Sequence, residues 1–476
     1  RIRIPSKMIY NLITQLRQEL VLTVLIFLLL FIKLGKDRSN GSILNFINIA
    51  LLINLGAGFC CHETGEVFNG MFSTNALIVF EKDLLNLAAL IISMQSYAWL
   101  KNSKHVIEFY LLTLTSLLGM FFMISSGNLL MFYLGLEMST IPLAAAANFD
   151  LTKRKSSEAA MKLILSSAFS SAILLMGISF LYGTTGTLTF SILTAHINGN
   201  PLQMFGFLLL ISGFAFKISA VPFHLWTADV YEGSPVAVTS FLSVISKAAV
   251  LFTLVNLLYK VFTPIASTWY LVLVVLAAAT ILIGNLFAIR QDNFKRFLAF
   301  SSIAQVGFIL IGISGSSQTG SASLIYFILI YIFSNLAAFG VVSVVSALTG
   351  KENISDFKGF YKTNPMLSWV LTIALFSLAG VPPTAGFFGK LFLMMAGASK
   401  GNYGLITFAA LNMVVSFYYY LRVVKAIFMD DNAAPIQKLE VPTVSKLAMY
   451  MCVAGVIITG LASVVYDYIY SISIGL

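Results

Sequence analysis

Four ionisable side chains stand inside long apolar stretches of this 476-residue chain. Glu137 lies in LLMFYLGLEMSTIPL, Lys217 in ISGFAFKISAVPF, Lys247 in AVTSFLSVISKAAVL and Lys390 in PPTAGFFGKLFLMM. A charge at a bilayer centre costs at least about 2.5–3.5 kcal/mol, so such residues face a bundle interior, pair with one another and mark ion paths. The residue types suit protons. Burial disfavours an ammonium and an opposed carboxylate favours it, so a Glu–Lys pair that opens and closes can switch a neighbouring amine between holding and releasing a proton. Arginine would stay charged throughout, and every deep cation here is a lysine.

Three further residues form a secondary set. His224 lies just past Pro222 and either caps the chain there or shuttles a proton. Lys162 follows Glu158 by four residues, which is the spacing of an ion pair at a helix end as well as of an entry path. Lys295, beside Arg296, sits at the edge of an apolar stretch, where membrane topology accounts for it; it completes the secondary proton path. Glu81, Lys82 and Asp83 fall near the start of a span and read as interfacial, with no chemistry. Tyr418-Tyr419-Tyr420 beside Arg422 reads as an interfacial aromatic anchor.

Cofactor chemistry has little to build on. The cysteines are Cys60, Cys61 and Cys452, and an iron–sulfur cluster needs four suitably spaced ligands. The vicinal Cys60-Cys61 pair reads as inert. None of His62, His105, His196 and His224 stands mid-span, and neither GxGxxG nor GxxxxGK[ST] occurs. The expectation is a chain with no redox cofactor and no metal.

Those residues need helices to hold them. The chain is 58% hydrophobic and only 10% charged, with a mean hydropathy of +0.91. That excludes a soluble enzyme, a disordered chain and a collagen-like fibre, and it disfavours a barrel of alternating strands. Apolar stretches fall near 19–33, 42–60, 76–99, 107–126, 128–149, 158–182, 203–222, 235–259, 268–289, 295–313, 321–349, 366–398, 403–428 and 443–470. They predict an all-α polytopic membrane protein, one membrane domain over 1–476, with about 14 transmembrane helices at about 20 residues each. No cleavage-site pattern follows the first apolar run, which reads as a retained helix.

The net charge of +10 would suggest nucleic acid in a soluble protein. Here the basic residues alternate. Lys153-Arg154-Lys155, Lys295-Arg296 and Lys351 with Lys358 and Lys362 fall in odd-numbered loops, whereas the even loops hold only Lys260 and Lys400. The positive-inside rule places the odd loops in the cytoplasm and both termini on the periplasmic side, and no nucleic acid is implied. Arg1, Arg3, Lys7 and Arg17 run against this pattern.

Two spans look broken: the seventh at Pro222, and the twelfth, too long for one crossing, at Gly380-Val381-Pro382-Pro383. Each is the fourth member of a five-helix set, 107–259 (spans 4–8) and 268–428 (spans 9–13). An odd number of crossings inverts the second copy, the pattern of inverted-repeat transporters.

The run FKISAVPFHLWTADVYEGSPVAVTSFLSVISKAA (216–249) resembles the signature of the antiporter-like membrane subunits of respiratory complex I. Supporting matches are LGLEMSTIPL (134–143), SSEAAMKLIL (156–165), GNLFAIRQDNFKRFLAFSSIAQVGFILIGI (284–313), SLAGVPPTAGFFGK (377–390) and FYYYLRV (417–423). The resemblance implies a proton relay in which a Glu137–Lys217 pair controls Lys217. Lys217 exchanges a proton with Lys247, and Lys247 passes it toward Lys390. A lysine at 390 is similar to the N-type branch of the family, where acidic residues are expected in other branches. The resemblance further implies a bacterial inner membrane, antiporter-like and small membrane-arm subunits as partners beside lipids, and NAD, FMN, Fe–S clusters and quinone held by other subunits. A related alternative is a subunit of a multisubunit Mrp-type cation/proton antiporter. A third reading is a scaffold whose buried charges only hold helices together.

Overall fold

The computed structural model describes residues 6–35, 38–60, 64–432 and 434–474. Arg1, Arg3, Lys36, Cys61, His62, the Lys7 side chain and both chain ends lie outside the described residues.

Among the described residues, ten helices are long and apolar enough to cross a membrane. Two others, Arg17–Leu34 and Ala76–Gln95, are of crossing length but carry more charge. The predicted interruptions are present. The seventh stretch is a helix Pro201–Lys217, an irregular turn, and a second helix Leu225–Gly233 that the sequence leaves as a loop. The twelfth is Pro365–Ala379 followed by Ala385–Ala398, with Gly380 in the left-handed region at φ +90° between them. The stretch at 443–470 also divides, into Thr443–Leu461 and Ser463–Ile472. The all-α expectation misses one small antiparallel sheet, Gly65–Val67 against Phe72–Thr74.

Three helices form the centre: Val236–Val261, Phe294–Ile313 and Ser317–Thr349, each buried over nearly all of its apolar window. A helix that is apolar all round must be buried or face lipid, and these are enclosed by the rest of the bundle. Tight seams on either side come from small residues. Val106–Ile124 and Leu129–Ala147 approach closely at Gly119 and Gly135, and Ala266–Ile289 and Phe294–Ile313 do so at Gly284 and Gly307. At each of these positions a side chain would run into the neighbouring backbone.

The loops sort into two ends, as the alternating charge implies. Odd loops meet one another: Lys33 pairs with Glu108, Lys155 with Glu232, Lys295 with Glu352 and Lys362 with Asp431. Even loops also meet. Ser73 N–H donates to Ser125 O and Phe190 N–H to Gly127 O, and Thr194 Oγ1 donates to Lys260 O.

Candidate functional site

Glu137 lies on Leu129–Ala147, which opens with the Asn128 side chain accepting from Met131 N–H. Leu130, Leu134 and Ile141, on the same stripe at helical spacing, are exposed on the outside of the chain. Glu137 is half-buried on that stripe, and its Oε1 is buried without a hydrogen-bond partner. Lys217 is the last residue of the half-helix Pro201–Lys217 and is buried. Its Nζ donates to Thr140 Oγ1 and Ser167 Oγ, both at 2.8 Å. No Glu137–Lys217 ion pair forms. The break brings the ammonium to Thr140, one turn further along the glutamate's own helix, and two hydroxyls hold it there. A cavity of about 20 Å³ beside Lys217 is also lined by Ser246, the neighbour of Lys247. That is room for about one water molecule.

Lys247 is 2% exposed. A π-helical segment, Phe241–Ser246, ends directly before it, the kind of local unwinding that recurs at functional sites. Its Nζ donates to Ser302 Oγ at 2.5 Å and lies 5.6 Å from the Tyr231 ring centre. On the same helix, Ser243 Oγ is 3.1 Å from Tyr331 OH and accepts from Asn335 Nδ2 at 3.0 Å.

A polar line leads from here to Lys390. One residue back from Ser302, Ser301 Oγ bonds Tyr420 OH at 2.5 Å. Gln305 Nε2 donates to Tyr420 OH at 3.2 Å and to Leu378 O at 2.9 Å. Lys390 Nζ donates to that same carbonyl at 2.7 Å and to Ala379 O at 3.0 Å. Lys390 is therefore not snorkelling to an interface. It is 1% exposed, caps the carbonyl end of Pro365–Ala379, and sits 5.0 Å from the Phe308 ring centre. A cation suits the negative end of a helix. Ser301, Ser302, Gln305 and Tyr331 were not singled out by sequence, and Tyr420 was read only as part of an aromatic anchor. The signal of the first four was faint: polar residues on helices that the bundle encloses.

The secondary residues separate. His224 flanks Leu225–Gly233, is buried, and leaves Nδ1 without a partner. Lys162 makes the expected pair with Glu158 at 2.7 Å and a second one with Asp229 at 2.6 Å. Asp229 also accepts from Arg296 at 2.7 Å, and Arg296 reaches Glu232 at 3.0 Å. Lys295 lies at the same end, 3.1 Å from Glu352. Pro222 and the Pro382-Pro383 pair occupy the two breaks.

Two readings need correction. Glu81, Lys82 and Asp83 are buried, not interfacial. Lys82 Nζ is 2.5 Å from Glu19 Oε1 and 4.9 Å from the Phe72 ring centre, and Asp83 accepts from Gln18 at 2.6 Å. The helix Arg17–Leu34, through Gln18 and Glu19, covers Asp83 and Lys82, and Phe72 of the small hairpin covers Lys82. Arg17 is also accounted for locally: it donates to Ala57 O and Gly58 O at the end of Asn40–Phe59. The Tyr418–420 run is not an interfacial anchor as a whole, since only Tyr418 is exposed. Tyr419 and Tyr420 are fully buried, and Arg422 ties down the carbonyls of Ile289 and Gln291. Among the described residues, no three His, Cys, Asp or Glu side chains are grouped to hold a metal ion.

Residues 126–416 match the family model for the transmembrane region of NADH:quinone oxidoreductase and Mrp antiporters. NADH-quinone oxidoreductase subunit N of Phocaeicola vulgatus is 46% identical over 425 residues, covering 88% of this chain and 89% of that protein. A chain of respiratory complex I from Thermus thermophilus superposes with a TM-score of 0.80 at 28% identity, over 93% of this chain and 97% of that one. A chain of the Mrp complex from Dietzia sp. DQ12-45-1b shares the fold, with a TM-score of 0.86 at 18% identity over 97% of each chain.

Proposed function

The chain belongs to the NADH:quinone oxidoreductase/Mrp antiporter transmembrane family, and from that premise we propose that it is the N-type proton-translocating subunit of a bacterial complex I. NADH oxidation and quinone reduction take place in other subunits, which hold the NAD, FMN, Fe–S clusters and quinone, and this chain moves protons as part of the whole translocase. It spans the inner membrane with about 14 helices, both termini periplasmic, among antiporter-like and small membrane-arm subunits. Glycine seams between the first two helices of each set, at Gly119 and Gly135 in one and at Gly284 and Gly307 in the other, support reading 107–259 and 268–428 as two inverted repeats.

In this mechanism a perturbation from the redox subunits acts on Glu137, whose buried oxygen lacks a partner inside the chain. A changed charge there alters the balance between charged and neutral Lys217, which sits one helical turn away on Thr140. Lys217 exchanges a proton with Lys247 across the small cavity that reaches Ser246. Lys247 passes it toward Lys390 through water that the hydroxyls of Ser302, Ser301 and Tyr420 line up, with Gln305 holding Tyr420 in place. Water at the breaks around Pro222 and Pro382-Pro383 completes the path, with His224, Lys162 and Lys295 as secondary stations.

The observation that carries this reading is the row of polar side chains between two fully buried lysines, Lys247 and Lys390, in the enclosed centre of the bundle. The test is Lys247→Met in the intact complex. The assembled complex should remain and NADH-driven proton pumping should be lost; normal turnover and pumping would return the charges to a scaffolding role. The shared fold with the Mrp chain favours one other reading, a multisubunit cation/proton antiporter. Co-purification separates the two: peripheral redox subunits support the first, and small antiporter subunits alone support the second.

A further inference from the structure

The end of the molecule where the odd loops meet holds a polar cavity of about 350 Å³. Among its lining groups are three carboxylates, Asp150, Glu232 and Glu352, and three lysines, Lys153, Lys155 and Lys295. Only Lys295 is deeply buried, at 4% exposure. Its Nζ lies 3.1 Å from Glu352 Oε2 and donates to Ser234 O at 3.1 Å. Glu352 stands partly open to the cavity and accepts from Ser346 Oγ at 2.7 Å.

The position of Lys295 relative to Lys247 is what gives this pair a use. Lys295 opens the helix Phe294–Ile313. Ser302, which holds the Lys247 amino group, is seven residues further on, about 10 Å along the axis and on the same face. Ser234 immediately precedes Pro235 and the helix that carries Lys247. The same two chain segments are therefore bridged twice, by Lys295 to Ser234 at the cavity and by Lys247 to Ser302 deeper in. Tyr231, buried beside Lys247, accompanies the inner bridge.

We propose that Glu352 and Lys295 form a proton-uptake gate that loads Lys247 from the odd-loop side. In the resting arrangement Glu352 is ionised, Lys295 is protonated and Lys247 is neutral. A proton from cavity water neutralises Glu352 and releases Lys295 from its ion pair. Lys295 gives its proton inward, through water in the roughly 10 Å between the two bridges, to the Lys247 amine, then takes the proton held by Glu352. The ion pair is restored, and the net change is one proton moved from the cavity to Lys247. The groups facing the pair are Lys153, Lys155, Asp150 and Glu232 around the cavity and Arg296, which holds Glu232. Since the gate rests on Lys247 being a proton carrier, its failure must be separable from failure of the relay.

The experiment uses membranes containing the whole complex, with NADH-driven pumping and turnover followed from about pH 6 to about pH 9. Glu352→Gln keeps an acceptor for Ser346 and Lys295 but removes the titratable group. Its pumping should match wild type at the acidic end and fall at least about tenfold at the alkaline end, where protons must be gathered. A merely structural defect would lower pumping evenly across the range. Lys295→Arg keeps a cation for Glu352 and Ser234 but will not release a proton, and should pump poorly at every pH. A wild-type pH profile in Glu352→Gln, an even loss across pH in that variant, or normal pumping in Lys295→Arg would each overturn the gate. Lys247→Met is measured alongside. Normal pumping there sinks the relay itself, whereas loss there with a wild-type profile in Glu352→Gln sinks the gate alone.

Discussion

Lys247 has one hydrogen bond, to Ser302 Oγ, and otherwise faces the Tyr231 ring. Ser302→Ala therefore removes the only directional contact that holds the ammonium, without touching a charge. A hydrogen bond to a charged group is worth about 1.5–3 kcal/mol when buried. That converts to about 10- to 150-fold in the ratio of a correctly placed to a misplaced ammonium. If the proton passes through Lys247, the coupled pumping rate should fall by at least about tenfold. The assay is NADH-driven acidification of inverted membrane vesicles. NADH oxidation by an artificial acceptor runs beside it to count the assembled peripheral arm. Ser302→Thr keeps the hydroxyl and should retain most of the pumping. Wild-type protons per NADH in Ser302→Ala would refute the idea that this contact positions a carrier. Equal losses in the Ala and Thr variants would point to packing at a site that is 1% exposed.

Two further outcomes follow from the same contacts. Glu137→Ala and Lys217→Ala should each impair NADH-driven pumping while leaving the assembled complex present, and full pumping per electron in both would remove them from the relay. Lys82→Met strands the Glu19 carboxylate in a buried pocket, at a cost of about 3–5 kcal/mol. The Tm of the purified complex should drop, and adding Glu19→Leu should recover it, with pumping per electron unchanged in the double variant.

The membrane class, the position of the breaks and the three deep lysines were legible because each breaks a local rule. A lysine in an apolar run and two adjacent prolines in a stretch too long for one crossing both stand out against their neighbours. What stayed hidden depends on contacts between distant segments. Ser302, Gln305 and Tyr420 look ordinary in sequence, and only the packing of Phe294–Ile313 against Tyr403–Phe428 makes them a link. The Glu81-Lys82-Asp83 run was misread for the same reason. Three adjacent charges near a helix start resemble an interface, but Glu19, from a helix some sixty residues earlier, meets Lys82 and buries it. The Glu137–Lys217 pair was a plausible partnership by charge. The geometry of the break instead offers the ammonium two hydroxyls.

The two breaks also differ in what their lysines must do, and this decides which residue best separates transport from scaffolding. A helix end leaves carbonyls that need donors, and inside a membrane no water is at hand to serve by default. At the first break the chain supplies its own donors: Ile218 N–H bonds Phe214 O, Ala220 N–H bonds Ala215 O, and the Trp226 indole bonds Phe216 O. Lys217 is free of that duty and turns to Thr140 and Ser167. At the second break Gly380 and Val381 N–H satisfy Phe376 and Ser377, Leu378 O is shared by Gln305 and Lys390, and Ala379 O falls to Lys390. Replacing Lys390 therefore removes part of a helix cap as well as a carrier, and a loss of function there has two explanations. Lys247 caps nothing. It stands within a helical segment whose carbonyls are already paired, held by a hydroxyl and an aromatic face, so no structural need for an ammonium at that point is visible. A group that caps no helix end and pairs with no carboxylate among the described residues makes Lys247 the position at which transport and scaffolding are most cleanly separated.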